Sequence, residues 1–553
     1  MSKEPRFYNK PLAEASVAMF AGARIQFVLA LVLVLAIEKS RTRTKDEDDS
    51  KLMAEKSILI IGAGIAGLAT GSYGQMNGYR TRIVEHHSEP GGVAKAWKHS
   101  GYLIDGGIHY LMGHRPGLAC HEIYRELGIM HNRLFPDLET FVHFADEITG
   151  QQISFTGDLE KLARDLKTLA PEDARFIDRF INGIKAFQRT DIFSNLETPP
   201  ELMGITSLAK QFWSLRRVLP YFGGPFNEPM EKFVASIQNE GLRRILVNLF
   251  LPEVPVWFVL LIMSLLANRQ MGLLEGSCKD FVASMEDRYK KLGGEIQYNA
   301  TVKDILVEDN RAVGVRLVDG TEQRADVVVA AGDGFSTLFK LLGDRYTSKK
   351  LRECYQNWQH LVPIVTLSFG VGQEYPGMTP LNFLLLKKPL TIGNITITGF
   401  PVRIFNYGSK GFSPPGKTIV QALLHSDWDF WEKLLQDRPA YEAEKKRVCA
   451  ETLERLEAHY PGITAKVELT DIATPYTTWR YTLNHKGAFM GWVPTPKALR
   501  TLLPKTLPGL ENFYMAGQWI MPGGGVPPCL YSGRHVVQIL CKRDGKKFST
   551  SVP

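Results

Sequence analysis

The chain of 553 residues is poor in cysteine: Cys120, Cys278, Cys354, Cys449, Cys529 and Cys541 stand far apart, and no Cys-x-x-Cys pair occurs. A disulfide-built scaffold and a structural zinc site are thereby excluded, and the thiols suit a reducing, cytosol-like compartment. Charge of one sign is also scarce. A net charge of +8 is modest for this length and no lysine-rich tail concentrates it, so nucleic acid is not an expected partner. No Ser-His-Asp arrangement and no metal-ligand spacing stands out, so no metal is expected. Hydrophobic residues make up 44%, aromatics 10% and charged residues 22%, proportions that exclude a disordered, collagenous or multi-span membrane chain.

Long apolar runs are few, and one stands near the N-terminus. Val17 to Ile37 is broken only by Arg24 and Gln26. As a helix rising about 1.5 Å per residue it would be roughly 31 Å long, close to the ~30 Å hydrocarbon thickness of a bilayer. Lys3, Arg6 and Lys10 precede it, whereas Lys39, Arg41, Arg43, Lys45 and Lys51 follow it. Basic flanks stay on the cytoplasmic side, which would leave the body of the chain in the cytosol. Residues 1–52 are therefore expected to be either a single N-terminal membrane anchor or an extension on a cytoplasmic protein, with the folded body starting near Met53.

The next feature is chemical. Lys56-Ser-Ile-Leu-Ile-Ile61 reads as a buried parallel strand and runs into Gly62-Ala63-Gly64-Ile65-Ala66-Gly67, a complete G-x-G-x-x-G. A helix over Leu68–Met76 and a strand over Thr81–Val84 follow, ending in Glu85. This order is that of a dinucleotide-binding unit. Gly62 permits the turn, Gly64 lets backbone approach a pyrophosphate, and Gly67 lets the helix pack on the strand. The helix N-terminus offers free N–H groups to the phosphates, and Glu85 would accept from the ribose hydroxyls. The glycine pair Gly91-Gly92 shortly after His86 is foreign to a minimal NAD unit, and no second complete fingerprint occurs, so FAD is the expected cofactor.

These residues resemble the flavin amine oxidase superfamily, and within it the bacterial phytoene desaturase type of carotenoid and retinoid oxidoreductase. Three segments carry the match: Ser57–Gly113, with Gly91-Gly92 and Asp105-Gly-Gly-Ile-His109-Tyr110; Gly293-Gly294-Glu295 through Asn299-Ala-Thr-Val302 to Asp333; and Met515-Ala-Gly517-Gln-Trp519 followed by Pro522-Gly-Gly524-Gly525-Val526-Pro527. The resemblance implies an α/β protein. A Rossmann-like FAD-binding domain would be assembled from residues 53–130, 270–345 and 470–548. An interleaved α+β substrate domain would be built from residues 131–269 and 346–469. It also implies that His86, Gly91, Gly92 and Gly517 contact FAD, that Val302 meets the adenine through its backbone, and that His109 stands near the isoalloxazine as an acid or base. Gly524, Gly525 and Val526 would present a helix start to the flavin, where its dipole stabilises an anionic reduced ring. Two departures bear on substrate and reaction type. Ile520-Met521 replaces the common Thr-His, and Val93 stands where arginine often follows the glycine pair.

On the substrate side, Val254–Ala267 is almost unbroken apolar sequence, too short to span a bilayer and suited to a core helix or tunnel wall. Leu202–Gly224 mixes Phe212, Trp213, Tyr221 and Phe222 with Lys210, Arg216 and Arg217, as a membrane-surface segment would. Tyr481 and Trp492 are placed at the substrate pocket by the resemblance. The expected function is hydride exchange between FAD and a long polyene or isoprenoid drawn from a membrane, as a desaturase, saturase or isomerase. Two alternatives are an amine oxidase acting on a polar amine, and a flavoprotein using FAD without redox as an isomerase or lipid carrier.

Overall fold

A computed structural model describes residues 55–131, 133, 135–407 and 411–553. The expected extension or anchor at 1–52, with Val17–Ile37, lies outside the described residues.

A five-stranded parallel sheet holds the nucleotide-type unit. Its strands are β1 (Ser57–Ile61), β2 (Arg80–Val84), β3 (Glu295–Gln297), β4 (Val327–Ala330) and β5 (Phe513–Met515), in the order β5-β4-β1-β2-β3. Each of the three sequence segments contributes at least one strand. The central strands β1 and β4 are β-branched and buried on both faces, as a covered parallel sheet requires, whereas β2 and β3 expose residues toward the sheet edge. Helix α1 (Ile65–Met76) leaves the end of β1, starting earlier than the sequence pattern suggests because Ile65 and Ala66 already have helical geometry.

A seven-stranded mixed sheet forms the second layer system. It draws Thr140–Asp146 and Gln152–Thr156 from one stretch and Ile364–Val371, Leu381–Ile392, Ile395–Ile404, Thr418–His425 and Val467–Ala473 from another. The expected boundary between 469 and 470 falls inside the last strand. That strand stays in the seven-stranded sheet through the pairing of Thr366 with Ala473, so the domain change follows Ala473. Helix α2 (Ile205–Leu215) has no buried residue, whereas helix α3 (Val256–Ala267) is buried along most of its length. Eight large apolar side chains of α3 are buried, at about 1.5–3 kcal/mol each. The apolar run at 254–267 is thus a core helix.

Two further helices clamp α1. Helix α4 (Cys278–Lys291) opens with a Ser277/Asp280 capping box, and helix α5 (Val526–Arg543) carries Pro527 and Pro528 in its first turn, where a missing N–H costs little. Gly533 brings α5 against α1: a Cβ there would stand 2.8 Å from both the Ala66 carbonyl oxygen and the Thr70 nitrogen. Beside this contact the Tyr73 hydroxyl donates to Glu126 Oε2 at 2.6 Å, and Arg534 Nη1 lies 2.5 Å from the same oxygen.

Candidate functional site

The glycine fingerprint folds as its spacing demands. Gly62 donates its N–H to the Val84 carbonyl at 2.8 Å and adopts φ 98°, a conformation that side chains rarely tolerate. At Gly67 a Cβ would stand 1.9 Å from the Gly62 carbonyl oxygen, so helix and turn could not approach with any larger residue. Gly64 differs: a Cβ there would meet nothing within 4 Å, which leaves an open face at the start of α1. Phosphate groups fit that face, because the first N–H groups of a helix have no partner within it.

Glu85, 7% exposed at the end of β2, ties the rim together. Its Oε2 accepts the Ala63 N–H at 2.6 Å and its Oε1 accepts the His87 N–H at 2.9 Å. Gly91 donates to the Ala63 carbonyl at 2.9 Å, and a Cβ on Gly92 would lie 3.5 Å from the Gly64 Cα. Ala300 in turn donates to the Glu85 carbonyl at 2.8 Å, which pins the chain leading into Val302 beside the same rim. The third segment closes it. Gly517 donates to Ser532 Oγ at 2.7 Å, and its Cβ position lies 3.7 Å from the Ala66 Cβ. Pro527 and Pro528 carry no N–H, so the donors at the start of α5 are Gly525 and Val526, with open space beside Gly525 and Met490 beside Gly524. Ala63, Glu85, Gly91 and Gly92 are thus tied together around Gly64, with Gly517 beside Ala66, and the open face at Gly64 suits an anionic dinucleotide such as FAD.

The His86 ring spans two neighbouring loops: its Nδ1 lies 2.7 Å from Thr301 Oγ1 and its Nε2 3.3 Å from the Arg480 carbonyl.

Four titratable side chains outside the rim are half-buried: His109, Tyr110, Tyr407 and Cys529. Burial, followed by the nearby Arg403 charge, holds the His109 pKa well below the usual histidine range. Burial raises the phenols of Tyr110 and Tyr407, and it pushes the Cys529 thiol, in the first turn of α5, up to about 12. The packing around Tyr110 is apolar: it lies edge-on to Phe141 at 5.6 Å, and Ile108 and Phe383 belong to the same core cluster.

Arg403, 1% exposed on strand Ile395–Ile404, is the charged group near both His109 and Tyr407. Its Nη1 donates to the Asp105 carbonyl at 3.3 Å and to Gln421 Oε1 at 3.1 Å, its guanidinium lies 4.5 Å over the Phe405 ring, and its buried Nη2 has no hydrogen-bond partner. Among the described residues it forms no ion pair. Sequence reasoning did not reach Arg403, Tyr407 or Cys529. The one available signal was a single charge inside the apolar run Phe400–Phe405.

Two residues expected at the substrate pocket lie elsewhere. Tyr481 is 37% exposed and edge-on to His87 at 5.1 Å, on the Glu85 side of the rim. Trp492 is 2% exposed and donates its Nε1–H to the Trp519 carbonyl at 2.9 Å; wedged against Tyr355 and Trp519, it has no surface left for a ligand.

A profile of flavin containing amine oxidoreductases matches residues 65–541. A prolycopene isomerase of Arabidopsis thaliana chloroplasts is 24% identical over 500 residues, covering 86% of this chain and 81% of the relative. A lycopene-forming phytoene desaturase of Pseudescherichia vulneris is 23% identical over 530 residues, covering 88% and 99%. Among solved structures, putrescine oxidase bound to putrescine superposes with a TM-score of 0.57 at 13% identity, covering 89% of this chain and all of that one.

Proposed function

The chain belongs to the flavin containing amine oxidoreductase family, and on that premise we propose that it is an oxidoreductase of the phytoene desaturase type, acting on a long apolar polyene or isoprenoid. The glycine rim, Glu85 and the start of α5 would hold FAD, which would supply hydride exchange with carbon. The names of the curated relatives, an isomerase and a desaturase of carotenoids, support this substrate class.

The observation that carries the reading is Arg403. A buried guanidinium without an ion-pair partner among the described residues disfavours a protonated amine beside it, whereas a neutral polyene suits the nearby apolar side chains of Ile108, Phe141 and Phe383. Among the described residues His109 makes no hydrogen bond. Kept neutral, its imidazole can take a proton from, or return one to, a substrate carbon while the apolar packing excludes water.

The substrate is proposed to enter from a bilayer. Helix α2 exposes Ile205, Phe212 and Trp213 at 81%, 48% and 66%, beside Lys210, Arg216 and Arg217. Such a helix suits the surface of an anionic membrane on its cytoplasmic side. No helix among the described residues is long and apolar enough to cross a membrane.

The test is anaerobic mixing of the FAD-loaded chain with a polyene panel and, separately, an amine panel. Flavin bleaching or recolouring with a polyene, together with a product changed in its double bonds, is expected. Hydrogen peroxide release with amines and silence with every polyene would reverse the assignment.

A further inference from the structure

Where α5 ends, the chain does not leave the fold. Residues 546–551 form neither helix nor strand, yet they lie across the far ends of α1 and α4, away from the glycine rim. Asn77, which caps the end of α1, is the anchor. Its Oδ1 accepts the Ser549 N–H at 2.8 Å and its Nδ2 donates to the Ser549 carbonyl at 2.9 Å, so one side chain holds both polar groups of that residue's backbone. Phe548 sits between the Tyr73 ring, at 5.9 Å, and the Arg534 guanidinium, at 5.2 Å. Lys546 Nζ donates to the Asn77 and Gly78 carbonyls at 3.3 and 3.0 Å. Arg288, in the last turn of α4, completes the strap: its Nη2 donates to the carbonyl and to the hydroxyl oxygen of Ser551, both at 2.8 Å.

Arg288 lacks an anion. Its Nε donates to the Glu126 carbonyl at 3.1 Å, but the Glu126 carboxylate is taken by Tyr73 and Arg534, and among the described residues Arg288 forms no ion pair. The planar fork of a guanidinium matches a phosphate, and here it faces only an uncharged hydroxyl. That hydroxyl is also within reach of an enzyme. Ser549, Thr550 and Ser551 are exposed, and Lys542, Arg543, Lys546 and Lys547 precede them with Asp544 as the one acid between. Basic residues ahead of an exposed hydroxyl in an irregular segment are what the acidic substrate groove of a basophilic protein kinase selects. Of the three hydroxyls, only that of Ser551 has a cation in hydrogen-bond contact. We propose that Ser551 is a phosphorylation site, and that its phosphate pairs with Arg288 to tighten the strap on α1 and α4. The Ser551 Oγ–phosphorus bond forms as the bond from the γ-phosphorus of ATP to its bridging oxygen breaks. ADP leaves with that electron pair, and the hydroxyl proton passes to solvent. Three acceptor oxygens and a charge near −2 then stand where one neutral acceptor stood.

The experiment uses the FAD-loaded full chain in two forms, one treated with ATP and a panel of basophilic kinases, the other carrying phosphoserine encoded at position 551. Mass spectrometry of the first should place phosphate on Ser551 and find that peptide unmodified in Ser551→Ala. In the second, trypsin cleavage after Lys546 and Lys547 should slow about threefold or more, and the slowing should vanish in Arg288→Gln. Arg288→Lys, which keeps the charge without the fork, should retain part of it. Melting temperature and flavin content of both variants report folding. Phosphate confined to Ser549 or Thr550, or absent with every kinase, overturns the proposal. So does cleavage that is unchanged or faster, or slowing that persists in Arg288→Gln, which would mean that the phosphate acts on the protease and not on the strap.

Discussion

Glu85 and Ala63 are joined by a 2.6 Å hydrogen bond from backbone to carboxylate, so the acid at the end of one strand fixes the turn at the end of its neighbour. The same carboxylate holds His87 through its second oxygen, and the rim for the dinucleotide depends on this one side chain. Replacing Glu85 by alanine removes both acceptors from a buried location. A loss of about 1–3 kcal/mol follows for the rim, or roughly 5- to 150-fold in FAD affinity. Glu85→Gln, which keeps one acceptor oxygen, should lose less. Titration of apoprotein with FAD, followed by flavin fluorescence, measures both.

Gly67 tolerates nothing larger. In Gly67→Ala the new methyl carbon would sit 1.9 Å from the Gly62 carbonyl oxygen, so strand and helix must part. The overpacking cost is about 1–3 kcal/mol or more, concentrated where phosphate would bind. The purified variant should be colourless, and its flavin-to-protein ratio by absorbance checks this.

The pair of Arg534 and Glu126 joins α5 to the chain beside α1, with the Tyr73 hydroxyl on the same carboxylate oxygen. Removal of the cation in Arg534→Met leaves a carboxylate that is only 10% exposed at its side chain without its partner. Stability should fall by about 3–5 kcal/mol, read by urea unfolding. The double replacement Glu126→Gln with Arg534→Met should recover part of that loss.

His535 sets an acid limit. Burial, aided by Lys505 and Arg534, holds its pKa down at about 3, with Nε2 2.5 Å from the Leu196 carbonyl. The folded chain therefore keeps it neutral where the unfolded chain, with a value of about 6.5, would bind a proton. Stability from this group is complete above about pH 6.5 and is lost as pH falls toward 3, with a slope of up to about 1.4 kcal/mol per pH unit. Urea midpoints at pH 7, 6 and 5 should fall more steeply for the native chain than for His535→Gln.

Helix α2 offers a direct test of the membrane reading. Trp213→Glu and Phe212→Glu lie on a helix without buried residues, so melting temperature should be nearly unchanged. Co-sedimentation with vesicles rich in anionic lipid should fall for both and recover little as salt is lowered. Unchanged sedimentation would assign the exposed aromatics to another purpose.

Local patterns carried the nucleotide rim into view. Gly62, Gly64, Gly67 and Glu85 act through short-range backbone geometry, which a spacing encodes directly. The three separated segments that supply strands to the five-stranded sheet were legible, whereas the extent of strand Val467–Ala473 was not, because its end is decided by its partner Thr366 and not by its own residues. Tyr481 and Trp492 were misplaced for a related reason. Both sit in a loop-rich stretch whose position depends on what packs beneath it, and small glycines nearby are as consistent with a core wedge as with a pocket. Arg403 was hidden more deeply. A lone charge in a strand ordinarily marks a solvent-facing position, and only the sheet that covers it reveals that Val402, Arg403 and Ile404 are all buried.

The five-stranded sheet also has a history written into its strand order. β4, at its centre with β1, waits for β5 as its outer neighbour, and β5 and α5 are among the last elements synthesised. At about 5–20 residues per second, roughly 25–90 seconds separate the emergence of β1 from that of β5 on a ribosome. Throughout that interval the nascent chain presents β4 as an unfinished sheet edge and lacks Gly517 and the start of α5, so its unpaired backbone has to be kept from other chains until the last segment arrives.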